Sequence, residues 1–481
     1  MRTPVFLCPM ALLLFACAPA DSNDEYVEII EEDKPVYEKV DFSKDDKTTY
    51  DTYEGLIMAG YQGWFCAGES ACAHNTFYHY NGDGQKFRPG PLRNTIDLWP
   101  DVSEYEKTYE VPEFCIPSGK KACVYSAYDR STVFLHFKWM KEYGLDGVFM
   151  QRFVAETCGN KSTGKTHFNR VLENAMDASN EYKRAICIMY DLSGSDQSGI
   201  EKMVEDAQNL YDKYELGTRN KQKYYLYENG KPLLAIWGVG FSGRTYDKYL
   251  PDVVRSLKQK GFSIMLGVPA YWRTGTSDAH QKGSQEYSIL MDLIGEAEVI
   301  MPWFVGRYNP TSYSNFAPNI DADIKWAREK GVKYAPLCYP GYADRNMHPA
   351  NSVMDRSRGK FYWDQLSYCI GAGAKMIYVA MFDEIDEGTA IFKILNKKDV
   401  PDNTPSDTYY VNYIGGNYSI SSYRKTDLSG NDFSMKAEDL AVEFQGIEND
   451  LPTDHYLWLT GVARSILRGS QPFSKNLPVR K

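Results

Sequence analysis

The chain has 481 residues, a formal net charge of −10, and 43% apolar and 25% charged residues. That composition suits a globular protein with a large core. No basic cluster or stripe offsets the acidic balance, which argues against nucleic acid as a partner.

Residues 1–16 read as an export signal, with Arg2 before a mostly apolar run from Val5 to Phe15. The run is too short to stay in a membrane as a helix. Leu14-Phe15-Ala16-Cys17 resembles a bacterial lipobox, in which Cys17 carries the lipid; an ordinary cleaved signal peptide is the alternative. Residues 17–48 read as a lipidated acidic linker, with eleven acids against four lysines from 18 to 48. Such a segment buries too little surface to offset its ordering entropy. Acids close behind the lipid cysteine resemble the export signals of Bacteroidota lipoproteins. The expected location is therefore the outer membrane, on its surface or periplasmic face, with the lipid on Cys17 as the membrane contact.

Of ten cysteines, Cys8 and Cys17 fall in the signal, and the rest would meet an oxidising compartment. Proximity in sequence suggests disulfides Cys66–Cys72 and Cys115–Cys123, although four cysteines allow three pairings. Cys187 and Cys338 lie in apolar runs and are expected free.

From residue 49 onward, short β-rich runs recur: Leu56–Tyr61, Gly147–Phe153, Ala185–Tyr190, Leu233–Val239, Ser263–Pro269, Val299–Val305, Val332–Pro340 and Lys375–Glu384. Helix-period stretches such as STVFLHFKWMKEYG and YLPDVVRSLKQKG separate them, several ending in Gly. Eight strand–helix alternations predict an α/β fold, a (β/α)8 TIM barrel over 49–481, with long loops after strands one and eight. An open doubly wound sheet is the alternative, but no Gly-rich phosphate turn follows an early strand. Residues 62–130 and 390–450 are the two long connections, and DHYLWLTGVARSILRG near the end is the eighth helix.

In such a barrel, function sits at the carboxyl ends of the strands. Those ends carry Tyr61 and Trp64, Gln151 and Arg152, Trp237, Trp272, Trp303 and Tyr342. Strand eight ends in MFDEIDEGTA, where Asp383, Glu384, Asp386 and Glu387 place four carboxylates in five positions. Glu384 and Glu387, three apart, share a face if the chain turns helically there. Each carboxyl raises the cost of ionising the other, which is what an acid/base pair for glycoside cleavage needs. A solvated acidic loop, or acids at a helix N-terminus, is the plain alternative. The same acids suggest an oxygen-ligand cation site, but the seven histidines are scattered and form no H-x-H or H-E-x-x-H. Gly240-Phe241-Ser242-Gly243 is not a nucleophile elbow. Sugar rings stack on aromatic faces, so aromatics at strand ends suit a saccharide cleft. Within the first insertion, His79, Asp97 and Trp99 are further contact candidates.

The ending FDEIDEGT resembles the F-N-E-W-x-E-G-T ending of strand eight in glycoside hydrolase family 99, the endo-α-mannosidases. Gly60-Tyr61-Gln62-Gly63-Trp64-Phe65 with His79 resembles that family's first strand and following histidine. Pro340-Gly341-Tyr342 with Asp344 resembles its P-G-Y-D segment. The similarity runs through most of residues 50–395, in the broad class of families 71 and 99 that includes Bacteroidota proteins labelled xylosidase/arabinosidase. It implies Glu384 as the carboxylate assisting the sugar 2-hydroxyl and Glu387 as the acid/base that protonates the leaving oxygen. Ile385-Asp386 and Asp383 depart from the family's Trp, its polar neighbour and its Asn, which leaves the mannose subsite and the mechanism open. Family 99 is retaining through a 1,2-anhydro sugar and family 71 is inverting, so stereochemistry stays open.

The sequence therefore predicts a secreted α-glycoside hydrolase acting on an oligosaccharide or polysaccharide. Glu384 and Glu387 are catalytic, and no metal or organic cofactor is required. Tyr61, Trp64, His79, Asp97, Trp99, Gln151, Arg152, Trp237, Trp272, Trp303, Tyr342 and Asp383 are the substrate-contact candidates. A surface glycan-binding protein on the same scaffold and a metal-dependent hydrolase are the rival readings.

Overall fold

The computed structural model describes residues 42–480 except 44–45, 71, 83–85 and 160–161. The signal, Cys8, Cys17 and most of the linker lie outside the described residues. Eight strands pair in parallel: β1 Ile57–Tyr61, β2 Gly147–Phe153, β3 Ala185–Asp191, β4 Lys231–Trp237, β5 Ser263–Pro269, β6 Val299–Trp303, β7 within 333–338, and β8 Ile377–Val379. β1 pairs with both β2 and β8. β7 is split. Lys333 and Tyr334 pair with β6, Leu337 and Cys338 pair with β8, and Pro336 between them lacks an N–H but accepts from the Tyr378 N–H. Neighbour-to-neighbour pairing thus returns to its start, giving a TIM-like barrel.

Eight helices follow the strands in turn: α1 Arg130–Tyr143, α2 Ser162–Tyr182, α3 Gln197–Lys213, α4 Leu250–Lys260, α5 Gln285–Glu296, α6 Pro318–Lys330, α7 Lys360–Gly371 and α8 His455–Leu467. Gly144, Gly261 and Gly331 end α1, α4 and α6 in the left-handed region, where a side chain would be strained. Asp196 and Ser284 cap α3 and α5, each accepting a backbone N–H. At the base, buried Asp146 accepts from the Ile57 N–H and from Arg468, and lies 3.4 Å from Arg464, pinning α8 beneath β1.

Between β1 and α1 the chain makes the hairpin Tyr109–Cys115/Lys121–Val124. Between β8 and α8 it makes a three-stranded antiparallel sheet of Tyr410–Ile414, Asn417–Ser421 and Phe433–Lys436. Cys66 and Cys72 are bonded. The expected Cys115–Cys123 bond is corrected: both thiols are free, and the hairpin register sets Cys115 opposite Lys121 and Cys123 opposite Glu110. Cys187 and Cys338 are free and buried.

Alternation along the strands decides which side chains enter the barrel. Gly60 has none, and the space is taken by Tyr378 of the neighbouring strand β8 and by Met381 just past it; Gln151 donates to the Tyr378 hydroxyl at 3.3 Å. A methyl at Gly60 would collide with both the Tyr378 hydroxyl and the Met381 side chain. Gly60→Ala is therefore expected to lose about 1–3 kcal/mol of stability by overpacking, read as a lower midpoint in urea unfolding.

Candidate active site

β8 stops at Val379, and the acidic knot follows as a turn over residues 385–388 rather than as more strand. Gly388 sits there at φ +65°, and a Cβ would lie 2.7 Å from the Ala343 nitrogen, so glycine lets the turn meet the loop after β7. The knot is held by its backbone. Phe382 N–H donates to Gly60 O, Ala343 N–H to Glu387 O, and Ala390 N–H to Glu384 O. Asp97 and Leu98 donate their N–H groups to Ile385 O.

The four acids do different things. Asp383 is fully buried and accepts from the backbone N–H of Gln62 at 2.7 Å and of Gly63 at 2.9 Å, clamping the exit of β1 to that of β8. Glu384 accepts from the Gln62 side-chain amide on one oxygen and from the Thr389 hydroxyl, at 2.5 Å, on the other. Asp386 lies 3.4 Å from His79 Nδ1, and its second oxygen is buried without a partner. Glu387 is half-buried, and its side-chain carboxyl has no hydrogen-bond or ion-pair partner among the described residues.

Burial is the leading cause of every shift here, because it penalises the charged form. Asp383 is pushed up to about 7, with its two backbone donors opposing. Burial, then Asp386, pushes Glu384 up to about 8, against Thr389 and Gln62. Asp386 is pushed up to about 8. Glu387 is held well above the usual carboxyl range by burial, then by Glu384, Asp386 and Asp344. Burial also lowers His79 to about 3, so the imidazole facing Asp386 is neutral at working pH and the contact is a long hydrogen bond rather than an ion pair.

Around the knot, His79 stacks on Trp64 with centroids 4.0 Å apart, and Trp64 stacks on Phe153 at 5.1 Å. Register carries Phe153, Asp191, Trp237 and Gly267 as one row. Gly267 leaves room for the Trp237 ring, since a Cβ would lie 2.6 Å from it, and Trp237 meets Trp303 edge-on at 5.2 Å. The indole N–H groups of Trp64 and Trp237 and the amide oxygens of Gln62 and Gln151 are buried without partners. The Tyr342 hydroxyl donates to Asp344 at 2.9 Å and is raised by burial and then by Glu387.

Trp64, His79, Gln151, Trp237, Trp303 and Tyr342 thus ring the strand ends with the glutamates. The other contact candidates are already engaged in packing. Tyr61 is buried and its hydroxyl bonds His136 of α1 at 2.8 Å. Arg152 points outward into a two-pronged ion pair with Asp206 of α3. Trp272 packs buried against Trp326 of α6. The Trp99 indole donates to Cys123 O within an aromatic cluster of Phe87, Phe114 and Phe444. Asp97 accepts from Arg345 N–H, Asn346 N–H and the Asn346 amide, and burial raises it to about 6. Asp383 is spent as the clamp.

Sequence reading did not select Gln62, Thr389 or Asp191. Asp191 is half-buried in the row above, accepts from the Ser193 N–H at 2.7 Å, and is raised to about 6 by burial. Counting by twos from Gln151 through its register partner Met189 reaches it. Among the described residues, one set of three possible metal ligands converges, Cys66, Cys72 and His167, and two of these are joined as a disulfide.

No protein-family model matches the chain. It is 22% identical over 304 residues to the glycoprotein endo-alpha-1,2-mannosidase of Rattus norvegicus, covering 60% of this chain and 58% of that protein. The Mus musculus protein of the same name is 20% identical over 305 residues with the same coverage. The chain thus spans less than two thirds of the length of these relatives. A solved glycoside hydrolase family 99 endo-alpha-mannosidase from Bacteroides thetaiotaomicron superposes with a TM-score of 0.55 at 15% identity, covering 87% of this chain and 99% of that one. In sequence over part of its length, and in fold over most of it, the chain is similar to glycoside hydrolase family 99.

Proposed function

We propose that the protein is a glycoside hydrolase acting on glycans with α-linked mannose, with Glu387 as general acid/base and Glu384 as the assisting carboxylate. One observation carries the reading: Glu387 is half-buried beside three other carboxyls with no partner of its own. A buried acid kept for stability is normally hydrogen-bonded, whereas this one is left with a proton to give. Glu384 has two donors aimed at its anion. Of the pair, Glu384 is therefore the one that ionises first, and Glu387 is the one that stays neutral.

In the route the family resemblance implies, Glu384 takes the proton of the sugar 2-hydroxyl and that oxygen bonds the anomeric carbon. The glycosidic bond breaks, and its electron pair goes to the leaving oxygen, which takes the proton of Glu387. Water then opens the 1,2-anhydro ring at the anomeric carbon and gives its proton to Glu387, while Glu384 returns a proton to the 2-oxygen. Trp237 and Trp303 offer ring faces, and Gln151, Asp191 and Tyr342 offer polar contacts, for the bound sugars. Export with a lipid on Cys17 is part of the same proposal and rests on the first 17 residues alone.

Glu387→Gln is expected to lower kcat by about 10²–10⁴-fold on an α-mannan oligosaccharide, and far less on an aryl glycoside whose leaving group needs no proton. Equal losses on both would remove Glu387 from the acid role. Binding of the oligosaccharide with no cleavage by the wild type would instead support a glycan-binding protein.

The proton count also sets a stability profile. Asp383, Glu384 and Asp386 keep protons in the folded state up to about pH 7–8, and Glu387 is held well above the usual carboxyl range, whereas free carboxyls ionise near pH 4. Over that window the folded state binds more protons than the unfolded one, so stability falls as pH rises. Between pH 7.5 and 8.5 the histidines that burial keeps neutral in the folded state are mostly neutral in the unfolded chain as well, where imidazoles titrate near 6.5. Thermal melts there are expected to drop with pH, with a flatter slope in the Glu384→Gln/Glu387→Gln variant. Labelled palmitate fed to a bacterial host is expected to enter the full-length protein and not Cys17→Ser.

A further inference from the structure

We propose that the antiparallel sheet inserted between β8 and α8 walls a second glycan-binding groove, which holds a part of the chain remote from the scissile bond. This rests on the glycoside reading above and extends it to a surface outside the acidic knot.

Strand alternation puts Val411, Tyr413, Tyr418, Ile420 and Phe433 on one face, with Tyr413 directly opposite both Tyr418 and Phe433. At one end this face is sealed, where Val411 is buried in a small core that Leu92 and Ile420 pack against. Toward the other end the face opens. There Tyr413, Tyr418, Arg88, Met347, His348 and Asn351 line a groove of about 1000 Å³. Tyr413 and Tyr418 are half-buried, with centroids 4.8 Å apart, and His348 lies 5.9 Å from Tyr418. One contact between the sheet and the loop after β7 is the Ala350 N–H, which donates to the Tyr418 hydroxyl at 3.2 Å.

Two features assign carbohydrate to this groove. Its walls pair aromatic rings with planar amides and a guanidinium, the mixture that suits C–H faces rimmed by hydroxyls. Two of its lining residues, His348 and Asn351, also touch the candidate active site through Asp344. His348 Nδ1 lies 2.7 Å from Asp344, Asn351 donates to the same carboxylate, and Asp344 carries the Tyr342 hydroxyl and acts on Glu387. Asn351 and Tyr342 also line a second groove of about 730 Å³ with residues 306–312. A chain seated at the carboxyl pair therefore has open ground on either side of Asn351.

The test compares Tyr418→Ala, Tyr413→Ala and Tyr418→Phe with wild type on yeast α-mannan and on an aryl α-mannobioside. Both alanine variants are expected to raise KM for mannan about tenfold, leave kcat unchanged and leave the aryl substrate within twofold. Tyr418→Phe, which keeps the ring, is expected to stay near wild type on both. Equal effects on long and short substrates, or none on mannan, would overturn the groove. If the wild type cleaves neither, the hydrolase reading fails separately, and affinity electrophoresis in mannan decides the groove. Retardation of wild type lost in Tyr418→Ala supports it; unchanged or absent retardation refutes it.

Discussion

The site depends on one clamp, the Asp383 carboxylate across the seam between the first and last barrel strands. Its two oxygens take the N–H groups of Gln62 and Gly63. A peptide N–H just past a strand end has lost its ladder partner, and in a buried setting it must find another. Asp383 supplies it, and so fixes the loop after β1 relative to the turn after β8. With the backbone of Gln62 fixed, its amide reaches Glu384. With Gly63 fixed, the chain passes on to Trp64, which carries His79 and leans on Phe153. The first of the four acids is thus spent on geometry, and the others are placed by it.

The insertion after β1 serves the same end from the other side. Its Asp97 holds the loop after β7 through Arg345 and Asn346, while its backbone donates to Ile385 in the middle of the knot. Trp99, a few residues on, is the centre of an aromatic packing cluster and not a sugar platform. A long insertion rich in aromatics at a catalytic face therefore has a structural duty first: it supplies the low-dielectric backing that raises the carboxyls.

Much of this was legible in the sequence. The eight β-rich runs, the glycines ending α1, α4 and α6, and the acidic ending of β8 are local patterns. What failed to show was parity. Tyr61 and Arg152 sit at strand ends as surely as Gln151 and Trp237 do, but the strand pleat turns them outward to His136 and Asp206. One residue of register separates a cleft contact from a core ion pair. Asp191 was missed for the same reason, because its orientation is set by Met189 and Gln151 on neighbouring positions. The hairpin of Cys115 and Cys123 makes the point again: closeness in sequence did not set the two residues opposite each other.

Like charges packed this closely have two ways out, pairing with cations or holding protons. Pairing is scarce here. His79, the imidazole nearest the knot, is kept neutral by burial. Arg152, a buried arginine at the end of β2, is committed to Asp206. His348 does favour the ionised form of Glu387, but it acts from beyond Asp344, which it already pairs. The remaining solution is protonation, and it falls hardest on the carboxyl with no donors of its own. Glu384 has Gln62 and Thr389 to steady an anion, whereas the Glu387 carboxyl has no donor of its own and three acids acting on it. The division of roles we propose, between a proton donor and an ionised partner, thus rests on where the hydrogen-bond donors are.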